Sequence, residues 1–127
     1  VSIFASDTIS SSLIKKQVQR PRPCHEQQMV PPVIGRVPCG GGFSFTSSHA
    51  ANHFCLAAFL VTLFGRYMRR WKYIWWAWAA IISVAQVYVG LHYPIDIIGG
   101  ALLGTIIGSS MGILCRHQIR EGILTSG

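Results

Sequence analysis

The fold is decided by residues 90–96, Gly90-Leu91-His92-Tyr93-Pro94-Ile95-Asp96, which separate two long apolar runs. Proline forces the residue before it out of helical geometry, whereas it suits the first turn of a helix. The stretch therefore predicts a helix that ends near Tyr93 and a second helix that begins at Pro94. His92 would lie at a helix end, and Asp96 in a first turn, where the helix dipole favours a carboxylate.

His92 and Asp96 are close enough in the sequence for the carboxylate to accept a hydrogen bond from one ring nitrogen of the histidine. The other nitrogen of such an oriented imidazole is free to act as a nucleophile or general base. The same pair could instead cap and solvate a tight turn between helices. The two residues alone do not separate these interpretations.

The composition indicates a membrane protein. Half of the 127 residues are hydrophobic, only 12% are charged, and the apolar residues lie in blocks. Three of these blocks, residues 49–64, 73–89 and 95–114, are typical of transmembrane helices. Residues 1–18 have moderate helical character and are expected to be the lower part of one more membrane helix. We therefore predict an all-α, polytopic transmembrane helical bundle, with about three full spans plus part of one more.

The domain organisation follows from the same pattern. Residues 1–127 are expected to form a single membrane-embedded domain, because the sequence shows no soluble domain, no internal repeat and no coiled coil. The chain opens on a short mixed segment without an initiator Met, so it is expected to be a fragment of a six-helix bundle whose N-terminal helices are missing.

The formal charge of +7 would suit a nucleic-acid partner, but Lys and Arg lie in short loops between apolar runs and no nucleic-acid motif accompanies them. The predicted partner is the lipid bilayer, with no nucleic acid, and no oligomeric state is predicted. Residues 65–72 and the C-terminal tail carry six Lys or Arg beside helix ends, as the positive-inside rule expects for the cytoplasmic face. Charge counts alone leave the orientation open, because the opposite side carries Lys15, Lys16, Arg20, Arg22 and Arg36. If these cations serve an anion, the loop of residues 24–48 and the turn at His92 lie on the extracytoplasmic face of an inner or plasma membrane.

Glycines recur at every fourth position of the third apolar run, at residues 100, 104, 108 and 112. Small residues at this spacing let the backbone of a neighbouring membrane helix approach closely. The pattern predicts a tightly packed helix pair.

Three short stretches are expected together on the outward face. They are Lys15 followed after six residues by Arg22-Pro23, then Thr46-Ser47-Ser48-His49 at a helix start, and finally His92 with Asp96. Their order and spacing resemble the type 2 phosphatidic acid phosphatase superfamily of integral membrane lipid phosphatases, whose signatures read KxxxxxxRP, PSGH and SRxxxxxHxxxD. The resemblance covers roughly residues 6–113.

The resemblance implies a role for each residue. His92 would attack phosphorus and form a phosphohistidine, with Asp96 fixing its tautomer, and His49 would protonate the leaving lipid oxygen and later activate water. The implied phosphate ligands are Lys15, Arg22, Ser47 and Ser48, helped by amides at the helix N-terminus. Such chemistry needs no metal and no cofactor. The implied substrate is a lipid phosphate or diphosphate: an isoprenoid diphosphate, a phosphatidyl phosphate or a glycolipid phosphate.

The chain departs from the signatures in two places. Thr46 and Ser48 stand where the family has proline and glycine, and Ala85-Gln86 stands where it has Ser-Arg. We expect Gln86 to bind phosphate in place of the arginine, but a neutral hydrogen bond is roughly half as strong as a charge-assisted one. The alternative is a catalytically impaired homologue that binds lipid phosphate without turnover. A transport or scaffold protein is disfavoured, because the polar residues crowd one end of the predicted helices.

The remaining polar residues have simpler interpretations. Lys16, Arg20 and Arg36 are expected to contact headgroups or solvent. His49 and His53 are four residues apart, but the Glu of an HExxH zinc motif is lacking, so a metal pair is disfavoured. Cys24 and Cys39 lie in the outward loop and could form a disulfide if that side is oxidising.

Overall fold

The computed structural model describes residues 2–26 and 36–125. The helices are α1 (Ser2–Thr8), α2 (Lys15–Val18), α3 (Ser48–Met68), α4 (Lys72–Tyr88) and α5 (Pro94–Thr125). A π-helical segment, Ile9–Ile14, joins α1 to α2, and 3₁₀ turns cover Pro23–His25 and Arg69–Trp71. The described residues contain no β-strand, which confirms the predicted all-α class.

Two stretches of the described residues are long and apolar enough to cross a membrane, Ser48–Tyr88 and Pro94–Ile123. The first stretch contains both α3 and α4, whose 21 and 17 residues would measure about 31 and 25 Å at 1.5 Å per residue. The predicted count of three spans therefore fits roughly, with α1, the π segment and α2 as the additional partial helix.

Two helix ends differ from the prediction. Helix α4 ends at Tyr88 and not near Tyr93, because Gly90 adopts a left-handed conformation (φ 79°) and donates its N–H to the Val87 carbonyl at 3.0 Å. His92 therefore lies in a turn between helices and not at a helix end. Helix α5 continues past residue 114 to Thr125, because residues 115–121 contain neither proline nor glycine to end it.

Helices α3 and α5 run parallel and pack backbone to backbone through the predicted glycines. A Cβ on Gly104 would overlap the carbonyl oxygen of Ala51 and lie 2.9 Å from the Cys55 nitrogen. A Cβ on Gly100 would lie 3.1 Å from Ala50 Cβ, and one on Gly108 would overlap the Cys55 carbonyl oxygen. The close packing predicted from the spacing is confirmed, and we call this contact the glycine seam.

The parallel arrangement puts the N-termini of α3 and α5 at one end of the bundle and their C-terminal halves at the other. A cavity of about 500 Å³ lies at the C-terminal end and is lined by Leu63, Phe64, Arg66, Tyr67, Arg116, Ile119 and Arg120. The basic clusters therefore lie at the end opposite His92, as predicted.

Candidate active site

The predicted nucleophile and its carboxylate are buried where α3 and α5 begin. His92 is 3% exposed and Asp96 is fully buried. The backbone N–H of Ser47, the N-cap of α3, donates to the Asp96 carbonyl at 3.1 Å and so joins the first turns of the two helices. Because both helix N-termini carry partial positive charge, this end of the bundle is suited to an anion.

Asp96 does not hydrogen-bond His92 directly, contrary to the prediction. The distance from His92 Nδ1 to Asp96 Oδ2 is 3.8 Å, which is beyond hydrogen-bond range. Oδ2 instead accepts hydrogen bonds from the Ser44 hydroxyl and from the Tyr93 N–H, the latter at 2.8 Å. Because Oδ2 accepts the Tyr93 N–H, the carboxylate also caps the start of α5, and the Asp96 N–H donates to the Tyr93 carbonyl at 3.0 Å.

The surroundings of His92 indicate which ring nitrogen can react. The Nδ1 atom faces two oxygens, Ser44 Oγ at 3.5 Å and Asp96 Oδ2 at 3.8 Å, so we assign the hydrogen of the neutral ring to Nδ1. Burial, followed by the positive charges of Arg22 and Lys15, lowers the pKa of His92 to about 4, against the opposing effects of Asp96 and of a backbone hydrogen bond with Ser44. The ring is therefore neutral near pH 7, with a lone pair on Nε2.

Arg22 and Lys15 supply the positive charge of the site. The Arg22 guanidinium donates to the carbonyls of Gly42 at 3.4 Å and Gly41 at 3.2 Å, which hold it in the loop before α3. Both charges act on His92 and on His49, so the structure brings the first predicted stretch together with both histidines.

The second predicted stretch begins α3. His49 is exposed in the first turn, and Ser48, the first residue of the helix, is half-buried. Ser47 is buried, and its Oγ accepts the Ala50 N–H at 3.3 Å as a helix cap. Because the Ser47 N–H is bonded to Asp96, only its hydroxyl proton remains for a phosphate. The phosphate contacts of Ser47 and Ser48 stay predictions.

Gln86 lies in the last turn of α4, beneath the turn that carries His92. Its backbone carbonyl accepts the N–H groups of Leu91 at 3.1 Å and His92 at 3.3 Å. Its side-chain Oε1 is buried without a hydrogen-bond partner in residues 2–26 and 36–125. Gln86 thus supports the backbone of His92, and its contact with phosphate stays a prediction.

Arg20 belongs to the site, although the sequence assigned it to headgroups or solvent. Its Nη1 atom lies 3.3 Å from Asp96 Oδ1, and its guanidinium stacks over the Tyr93 ring at 4.3 Å. A buried carboxylate requires a charged or hydrogen-bonded partner, and Asp96 is fully buried, but its burial is not visible in the sequence. Ser44 was also missed, because it lies outside the three stretches and no local pattern marks it.

Cys24 and Cys39 form a disulfide with their Cα atoms 5.9 Å apart, the pairing that the sequence left open. The bond joins the chain just after Arg22 to the chain just before Gly41 and Gly42, the residues whose carbonyls Arg22 binds. It therefore restrains the loop that holds this cation.

The paired histidines of α3 have other contacts. The His53 ring lies 4.8 Å from the Trp78 ring, and its Nδ1 is 2.6 Å from the His49 carbonyl oxygen. Within the described ranges, no three His, Cys, Asp or Glu side chains are grouped so that they could hold a metal ion.

Known proteins resemble this chain over almost its whole length. The family model of the PAP2 superfamily matches residues 1–119. The chain belongs to the PAP2 superfamily. All three stretches that carry the site lie within the matched residues, and the two candidate spans agree with an integral membrane protein of this family.

Two PAP2 relatives are named lipid A 4'-phosphatase. The protein from Bacteroides thetaiotaomicron is 38% identical over 109 residues, which are 82% of this chain and 46% of the relative. The protein from Porphyromonas gingivalis is 32% identical over 111 residues, 85% of this chain and 45% of the relative. The chain therefore spans about half the length of these relatives.

A solved PAP2 structure shares the fold. The crystal structure of the transmembrane phosphatidylglycerolphosphate phosphatase from Bacillus subtilis superposes with a TM-score of 0.59 at 24% identity. The match covers 95% of this chain and 57% of the other.

Proposed function

We propose that this PAP2 chain forms the catalytic half of a lipid phosphatase that works through a phosphohistidine on His92, without a metal. The observation that carries the proposal is the state of His92: a buried, neutral imidazole with Nδ1 turned toward oxygens and two cations acting on the ring. A nucleophile of this kind needs an unprotonated nitrogen and a positively charged neighbourhood for the phosphoryl oxygens.

In the first step, the Nε2 lone pair of His92 attacks phosphorus and the ester P–O bond breaks. The bonding electron pair leaves with the lipid oxygen, which takes a proton from His49. Lys15 and Arg22, together with the N-terminal ends of α3 and α5, stabilise the charge on the phosphoryl oxygens.

In the second step, His49 takes a proton from a water molecule whose oxygen attacks phosphorus. The P–N bond breaks, its electron pair returns to His92 Nε2, and inorganic phosphate leaves. His49 is exposed and so is open to both the lipid oxygen and water, whereas His92 is buried.

The proposed substrate is the phosphate monoester of a membrane glycolipid. The two relatives above 30% identity over most of this chain are both named lipid A 4'-phosphatase, which favours a glycolipid over a phosphatidyl phosphate or an isoprenoid diphosphate. We place the site at the outward, extracytoplasmic face, because the basic clusters at the opposite end suit the cytoplasm.

The test is phosphate release by the intact protein in detergent with a chelator present. The panel contains a glycolipid bisphosphate, phosphatidylglycerol phosphate, phosphatidate and an isoprenoid diphosphate. We expect release that resists the chelator and is fastest from the glycolipid. Release that requires an added divalent metal would contradict the mechanism, and preference for another lipid would contradict the substrate.

Substitutions at Gln86 test whether the protein turns over its lipid or only binds it. Gln86→Arg is expected to raise kcat/KM about fivefold to tenfold, because a charge-assisted hydrogen bond is worth about 1 kcal/mol more than a neutral one. Gln86→Met removes the amide and is the matched control, with an expected loss. If wild type binds the lipid without release and only Gln86→Arg turns over, the chain is an impaired homologue.

The pH dependence tests the charge at the nucleophile. Above its pKa of about 4, His92 is neutral and reactive, and protonation at lower pH removes the lone pair. Arg22 disfavours the protonated ring, so Arg22→Gln raises the pKa of His92. The acid limb of kcat/KM should then move to higher pH by roughly one unit. Arg36→Gln is the control, because that guanidinium stacks on the Tyr88 ring at 4.5 Å, and it should leave the limb in place.

A further inference from the structure

We infer that Ser44 is a positioning residue that relays the hydrogen bond between His92 and Asp96. The inference rests on the proposed function and adds a residue to it. Ser44 is fully buried between the other two side chains, donates its hydroxyl proton to Asp96 Oδ2, and has its Oγ 3.5 Å from His92 Nδ1.

His92 and Asp96 lie too far apart for a direct hydrogen bond, so a third group is required to connect them. At 3.8 Å, Asp96 Oδ2 is too far from His92 Nδ1 to accept its proton. The Ser44 hydroxyl can accept a hydrogen bond from Nδ1–H while donating its own proton to the carboxylate. The order His92 Nδ1–H, Ser44 Oγ–H, Asp96 Oδ2 satisfies each donor with one acceptor.

The surrounding contacts fix the direction of these two hydrogen bonds. Asp96 Oδ1 is taken by Arg20 at 3.3 Å, which leaves Oδ2 to receive Ser44 and the Tyr93 N–H. The Ser44 N–H donates to the Arg20 carbonyl at 2.7 Å, so the loop is held against the same residue that pairs with Asp96. The hydroxyl therefore has a defined place with little freedom to rotate away.

The relay acts when the nucleophile reacts. Attack by Nε2 on phosphorus makes the imidazole positive, and its Nδ1–H then becomes a stronger donor. Asp96 polarises the Ser44 hydroxyl, which becomes a better acceptor for Nδ1–H and so stabilises the positive ring. No proton is transferred. Without the hydroxyl, the ring loses the contact that links Nδ1 to Asp96, and the backbone hydrogen bond of Ser44 remains. Hydrogen is then held less firmly on Nδ1.

The test compares Ser44→Ala with Ser44→Thr, which keeps the hydroxyl, and with Ser83→Ala. Ser83 is also a buried serine, but its Oγ has no hydrogen-bond partner in the described part of the chain. We expect Ser44→Ala to lower kcat about 10- to 100-fold with little change in KM, as a small misplacement of a reacting group does. Ser44→Thr should recover much of the loss, and Ser83→Ala should leave kcat unchanged.

Two further readouts separate positioning from a structural role. In an Asp96→Asn background, Ser44→Ala should lower kcat by less than threefold, because the carboxylate that accepts the Ser44 hydroxyl proton has already been removed. In ¹⁵N spectra of histidine-labelled protein, assigned by difference from His92→Gln, wild type should show His92 with hydrogen on Nδ1. Ser44→Ala should show a mixture of tautomers.

The outcomes distinguish the two proposals. An active wild type with Ser44→Ala equal to Ser83→Ala would overturn the relay and leave the proposed function standing. An inactive wild type that still shows the tautomer change would support the relay and overturn the proposed function. Additive losses in the double variant, with an unchanged tautomer, would overturn the relay.

Discussion

His92→Ala is expected to reduce phosphate release by at least about 10⁴-fold, to the rate without covalent catalysis. Alanine removes the nitrogen that forms the bond to phosphorus, and no other described histidine lies at the buried junction of α3 and α5. Binding should survive, because Lys15 and Arg22 remain. The measurement is release from the preferred lipid, with lipid binding measured in parallel.

The matched control is His53→Ala, whose ring packs on Trp78 and takes no part in the proposed steps. It should keep most of the activity. His49→Ala provides the complementary result with an ester of an acidic leaving group, which needs no proton to depart. Phosphoenzyme should form on His92 and then accumulate, because the water is no longer activated. Turnover by His92→Ala near the wild-type rate would disprove the histidine mechanism.

Gly104→Leu is expected to prevent folding of the bundle. The first atom of any side chain there would overlap the Ala51 carbonyl oxygen, and the obstacle is backbone that cannot change rotamer. The helices α3 and α5 would have to separate along the whole glycine seam. We expect little folded protein in the membrane, and the smaller Gly104→Ala to lower the melting temperature by about 10 °C or more in detergent.

Gly122→Ala is the control, because nothing lies within 4 Å of a Cβ at that position, near the end of α5. It should melt at the wild-type temperature or slightly above, since alanine favours the helix. A Gly104→Leu variant that folds and melts like wild type would mean that the two helices do not pack as described.

The helices were predictable because their causes are local. The apolar runs predict α3, α4 and α5, and Pro94 predicts the start of α5. The spacing of the glycines in α5 predicts the face of this helix that packs closely on a neighbour, which is α3. The end of α4 was misplaced because Tyr93 precedes a proline, whereas the actual break is the left-handed Gly90. A glycine in an apolar run has no local sign of whether it turns or packs.

The site was predictable only where its residues fall in ordered motifs. His92, His49 and Asp96 came from such stretches, and the structure places the cations around them. Ser44 and Arg20 were not identified as site residues, because their roles depend on a loop folding back onto the first turn of α5. Contacts between segments 52 or 76 residues apart leave no periodicity in the sequence.

The glycine seam has a consequence for how this gene would respond to mutation. In a survey of all single substitutions scored by growth, the seam positions should be as intolerant as His92, although none of them touches the substrate. If intolerance to substitution were the sole criterion, the seam positions along α5 would be mistaken for active-site residues. Scoring protein abundance alongside growth would separate the two groups, because seam variants vanish from the membrane while His92 variants persist there without function.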